Sequence, residues 1–147
     1  MNAALEEIVG IYEAYVEEFY RQRKGHKPLD GIFGFGTGPQ DYPCHEAFIQ
    51  ELDRQLKSLL SQPPGPRETE EILRYIYCEA PTRWEAESTV YWMLLAAHSL
   101  TTDLIGRLNA SGARALYDRY QKQYPRRKRL PVHDKILNAL KERSKEK

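Results

Sequence analysis

The feature that most limits what this chain can become is an unbroken apolar run, Val90 to Ala97, inside a segment that reads as one helix. Thr82 and Glu85 stand three apart ahead of it, the spacing of a capping box. The helix is predicted over residues 83–108, about 39 Å at 1.5 Å per residue. A helix that is apolar all the way round cannot face water on any side and must be surrounded by other elements. No stretch of the chain alternates apolar and polar residues as a half-buried strand does, so those elements are helices.

The remaining helices follow from the same periodicity. Leu5, Ile8, Tyr12, Tyr15 and Phe19 recur at three and four, which predicts a first helix over about 2–24 with Gly25 as its stop. A second helix is expected from Pro43 to about Ser61, burying Phe48, Ile49, Leu52, Leu56, Leu59 and Leu60. Gln62-Pro-Pro-Gly-Pro66 ends it. A third, Arg67 to Glu79, carries Ile72, Leu73, Ile76 and Tyr77, and Ala80-Pro81 should close it. Asn109 to Gly112 reads as a turn. A fifth helix then carries Leu116, Tyr117, Tyr120 and Tyr124, and a sixth runs from Pro131 with Val132, Ile136, Leu137 and Leu140 inward. The expected fold is all-α: a single-domain bundle of about six helices spanning 1–147 around a central helix at 83–108. A charged tail over 143–147 is expected to fray.

Residues 25–43 break this pattern. Five glycines and three prolines in 19 positions leave no room for a helix. Ile32, Phe33 and Phe35 give the loop apolar anchors, so it is expected to be ordered. Loops of this length inside compact domains are frequently functional.

A chain of 147 residues buries roughly 70% of its unfolded surface and needs no disulfide or metal to fold. Charged residues make up 29% and no apolar run approaches a membrane span of ~18 residues. Glu6 and Glu7 stand where a signal peptide carries Lys or Arg, so no secretory segment is expected. Two cysteines, Cys44 and Cys78, form no disulfide framework and fit a reducing, cytoplasmic compartment. These features exclude membrane, collagenous, disulfide-knot and disordered classes.

The net charge of +1 hides an asymmetry. Residues 1–73 hold 7 Lys and Arg against 13 Asp and Glu, a balance of −6, and residues 74–147 hold 15 against 8, a balance of +7. A dedicated nucleic-acid module is basic overall. The asymmetry therefore reads first as mutual attraction between the halves, within one chain or between two copies.

Several residue groups could carry chemistry. Gly31-Ile-Phe-Gly-Phe-Gly-Thr-Gly-Pro39 looks like a phosphate loop, but a helix precedes it and no Gly-Lys-Ser/Thr ends it, so no nucleotide cofactor is expected. Its glycines serve the backbone, or let a partner approach it. Asp41-Tyr-Pro-Cys-His-Glu46 places a thiol and an imidazole in a first helical turn, where the dipole lowers a thiol pKa. Adjacent residues point about 100° apart, however, so Cys44 and His45 do not face each other. His98 falls in step with Glu87 and Tyr91 on the central helix, a polar stripe that is either satisfied in the core or lines a pocket, with Thr101, Thr102 and Asp103 nearby. No metal-ligand spacing occurs among the histidines, cysteines and carboxylates. Residues 122–129 hold five basic residues in eight, with Tyr120 and Tyr124 close by, a pattern that also binds phosphate backbones.

The sequence reads best as a protein that acts by binding, through a protein partner or self-association. Nucleic acid and membrane are unexpected partners. The candidate binding residues are Phe33, Phe35, Asp41, Cys44, His45, Glu87, Tyr91 and His98. One alternative is a thiol- or metal-dependent site at Cys44 and His45 with His98. The other is weak nucleic-acid binding through 122–129.

Overall fold

The computed structural model describes residues 3–25, 43–62, 64–83 and 97–145. Phe33, Phe35, Asp41, Glu87 and Tyr91 lie outside them, as do most of the 25–43 loop and the apolar run that begins at Val90. The fold is all-α. Its helices are α1 (Ala3–Gly25), α2 (Pro43–Ser61), α3 (Pro66–Arg74), α4 (97–105), α5 (Ala110–Gln123) and α6 (Pro131–Ser144). Helix α4 is the described portion of the segment expected over 83–108. No described helix is long and apolar enough to cross a membrane.

Helices α1 and α2 pack as an antiparallel pair. Tyr15 stacks on Phe48 at 4.3 Å, Tyr12 meets the same ring edge-on at 5.1 Å, and Glu7 near the start of α1 faces Arg54 far along α2. Ile8, Tyr12, Tyr15 and Phe19 are buried from α1, and Phe48, Leu52, Leu56 and Leu59 from α2. Helices α5 and α6 form a second antiparallel pair. Tyr124 stacks on His133 at 4.1 Å where α6 begins, and the Arg143 guanidinium donates to the Leu108 carbonyl ahead of α5. The buried residues of α6 are the four expected aliphatics together with His133.

Between the two pairs runs α3 and its continuation. After Arg74 the helix does not stop at Ala80-Pro81 as the sequence suggests. It widens into a π-helical turn over Tyr75–Glu79, closed by Ala80 N–H on the Tyr75 carbonyl, and then tightens into a 3-10 turn over Ala80–Arg83. Tyr75, Ile76, Tyr77 and Cys78 are all buried, which consecutive helical residues achieve only when covered on opposite sides. Tyr75 meets Tyr12 of α1 edge-on at 5.6 Å, whereas Tyr77 meets Tyr120 of α5 at 5.4 Å. The Gln123 side chain donates to the Cys78 carbonyl at 3.2 Å. Among the described residues this turn is what joins the aromatic clusters of the two pairs.

Two other boundaries, at Asn109 and after residue 105, differ from expectation. Asn109 is the N-cap of α5 rather than part of a free turn, its side-chain oxygen accepting from Gly112 N–H at 2.8 Å. Thr82 sits in the 3-10 turn and donates its hydroxyl to the Glu79 carbonyl at 2.7 Å, while Glu85, the other half of the expected capping box, lies outside the described residues. Helix α4 ends at 105, where Gly106, Arg107 and Leu108 turn back onto the carbonyls three residues earlier and tighten the exit.

Candidate functional site

Hollows of opposite charge lie on the described surface. One lies between α1 and α2 and measures about 560 Å³. Its floor is Gly10, Ile11, Ala14 and Tyr15 from α1 with Ala47 and Phe48 from α2, and its rim is Glu6, Glu7, Glu18 and Glu51. The trough follows directly from residue size. Gly10 and Ala14 are one turn apart on α1 and Ala47 faces them from α2, so no long side chain fills the seam between the helices. A Cβ placed on Gly10 meets nothing within 4 Å among the described residues. Glu18 pairs with Arg21 and Glu51 with Arg54, while Glu6 and Glu7 are exposed.

Behind the floor sits a buried polar pair. The Tyr15 hydroxyl lies 2.9 Å from Nδ1 of His45. His45 is 9% exposed, although it stands in the first turn of α2. Burial lowers its pKa below the ordinary histidine value. A neutral imidazole with its proton on Nε2 accepts a hydrogen bond from the tyrosine hydroxyl at Nδ1, which fixes the ring against the aromatic wall. The pair holds Tyr15 in place at one side of the trough.

The other sequence candidates are dispersed. Cys44 lies in the first turn of α2, with its side chain outside what is described. His98 is half-buried in α4, and its carbonyl accepts the hydroxyl of the fully buried Thr101 at 2.9 Å. Among the described residues no three potential ligands cluster as a metal site. Cys78 is buried in the π-helical turn, where burial pushes its thiol up to about 11.

The second hollow, about 660 Å³, lies at the junction of α5 and α6 and is lined by Asp118, Gln121, Lys122, Pro125, Arg126 and Arg129. Here the basic run begins in α5 and continues into a short turn. Arg126–Lys128 form a 3-10 turn, Lys128 N–H donates to the Pro125 carbonyl at 2.8 Å, and the Arg129 guanidinium donates to the Tyr124 carbonyl at 2.8 Å. Arg126, Arg127 and Lys128 are exposed, and beside them Leu130 is 42% exposed, the large hydrophobic side chain that stands out on the described surface.

The acidic trough was not among the sequence candidates. Its signal is the Gly10/Ala14 pair at helical spacing beside an acidic face, which the aromatic and aliphatic stripe next to it masks. Comparison with known proteins finds no matching family model, no matching curated protein and no matching solved structure.

Proposed function

We propose that this chain is a binding module whose α1–α2 trough receives a cationic polypeptide segment carrying an apolar anchor. The observation that carries the reading is the trough itself, an apolar floor inside a rim of four carboxylates. Such a rim steers and orients a cationic partner while the floor supplies the buried area. Gly10 supports it. A helix-interior glycine is less stable than alanine by about 0.5–1 kcal/mol, and no described neighbour requires its lack of a side chain. The opening it leaves is the return on that loss. The setting proposed is the reducing cytoplasm, consistent with the free Cys78.

The test uses Ala14→Arg, which fills the trough and sets a positive charge inside its acidic rim at an exposed position. Fluorescence anisotropy would compare a labelled Lys/Leu amphipathic peptide with a Glu/Leu peptide of the same length. The expected result is binding of the Lys/Leu peptide alone, weakened about tenfold or more by Ala14→Arg and also by high salt. Equal binding by wild type and Ala14→Arg, or no binding by either, removes the proposal.

A further inference from the structure

We propose that the occupant of the trough is a second copy of this chain, which inserts its segment 125–131 so that Leu130 reaches the floor and Arg126, Arg127 and Lys128 meet the rim. This rests on the reading of the trough as a binding site and names the partner.

Complementarity of charge and shape carries the assignment. The trough offers carboxylates around an apolar floor formed by Ile11, Ala14 and Phe48, and the segment offers three exposed cations around an exposed leucine. A lone exposed leucine is ordinary, but one flanked by cations and held in a fixed turn is a small anchor of the kind such a floor accepts. The segment is shaped in advance. Pro125 and Pro131 bound it, the 3-10 turn fixes its middle, and Arg129 is tied to the Tyr124 carbonyl and lies 4.0 Å from Asp134. A segment already in its bound shape loses little freedom on docking.

Several ion pairs among the described residues are local, and two of them engage Glu18 and Glu51 of the rim. Arg21–Glu18, Arg54–Glu51, Lys57–Asp53, Arg129–Asp134 and Lys145–Glu142 each join residues at most five apart. None of these links the acidic half to the basic half. Leu130, being exposed, is not docked in its own chain's trough. The opposite balances of the two halves, −6 and +7, suit a contact between copies.

Trough and segment are different surfaces, so the contact is heterologous. One copy carries one of each, and the assembly either closes, as a reciprocal dimer or a ring, or continues as a chain.

Sedimentation velocity across a wide dilution series, at low and at high salt, reads the association directly. Three variants accompany the wild type: Glu7→Lys with Glu51→Lys in the trough, Arg126→Glu with Arg127→Glu in the segment, and Leu130→Ser. All change exposed residues, and circular dichroism checks that each stays helical. Wild type is expected to associate at low salt and to weaken at least about tenfold at high salt. Each charge-reversed variant alone is expected to be monomeric, because every possible contact then has one defective side. Mixing the two restores an intact trough opposite an intact segment, so a 1:1 complex re-forms. Leu130→Ser weakens association at both salt concentrations, which a purely electrostatic contact would not show.

A wild type that stays monomeric at low salt overturns the proposal, as does a mixture that fails to associate or an assembly that survives the trough variant. Where wild type is monomeric yet Ala14→Arg still abolishes Lys/Leu peptide binding, the trough reading stands and the second copy falls. Where the peptide also fails to bind, both fall. A monomer that binds a single-stranded oligonucleotide, and loses it on Arg126→Glu with Arg127→Glu, replaces self-association with nucleic-acid binding.

Discussion

Replacing Tyr120 by phenylalanine should stabilise this protein, against the usual direction of a buried tyrosine substitution. Tyr120 is fully buried, with its ring 5.4 Å from Tyr77, 4.9 Å from Tyr124 and 5.9 Å from His133. Its hydroxyl has no hydrogen-bond partner among the described residues, and burial pushes its pKa far above the ordinary phenol value. A buried hydroxyl without a partner costs about 1–3 kcal/mol. Phenylalanine keeps the ring contacts and leaves a hollow of roughly 15 Å³, about one water-sized sphere. At about 24 cal/mol per Å³, that hollow costs roughly 0.4 kcal/mol. The net gain is then between about 0.5 and 2.5 kcal/mol, and the middle of that range raises Tm by about 3–6 °C in a chain of this size. Tyr15→Phe is the internal control. Its hydroxyl bonds His45 at 2.9 Å, so the same substitution strands a buried imidazole nitrogen and should lose about 1–3 kcal/mol. Urea and thermal unfolding followed by circular dichroism measure both. Equal losses at the two sites would refute the reasoning, because hydrogen-bond status would then not decide the sign.

Three further outcomes follow from single residues. Gly10→Ala should add about 0.5–1 kcal/mol in urea unfolding, since the helix gains propensity and the new methyl meets no described neighbour; a loss of stability would show that the trough is closed there. Burial lowers the His45 pKa, so the unfolded chain binds its proton more readily. Stability from this residue is complete above the unfolded value of about 6.5 and falls as pH drops from there through the lower folded value. The difference in urea midpoint between wild type and His45→Gln should shrink from pH 7.5 to pH 5, and a difference that grows would reverse the assignment. Cys78, with its thiol pushed up to about 11, should react in a Cys44→Ala background with a disulfide reagent at pH 8 at least about a hundredfold faster in urea than in buffer. Equal rates would place the thiol at the surface.

Much of the helical plan is written in punctuation that acts locally. Pro131 opens α6 and Pro66 opens α3, because a missing N–H suits the first helical position whatever surrounds it. The buried stripes are equally legible, and His45 belongs to one of them. It stands three before Phe48 and seven before Leu52, in step with the buried face of α2, a signal that its place in a first turn obscured. The π-helical turn at Tyr75–Glu79 has no such local signature. Helices α1 and α5 both cover this strip of chain, and that coverage depends on pairings between residues more than 40 positions apart. Asn109 shows a different failure: the asparagine that caps α5 is also a favoured turn residue, and only the accepted Gly112 N–H distinguishes the two roles.

The trough stands between these cases. Small residues one turn apart and a cluster of glutamates are both visible in the sequence. What makes them a site is the antiparallel alignment that sets Ala47 and Glu51 of α2 opposite Gly10, Ala14 and Glu7 of α1. Periodicity selects the inward face of a helix through the large residues it buries. A binding surface built from small residues and exposed acids leaves the outward face ordinary in every local respect. It becomes distinct only when the neighbouring helix supplies its other wall, so sequence patterning reaches the core of this protein before it reaches the site.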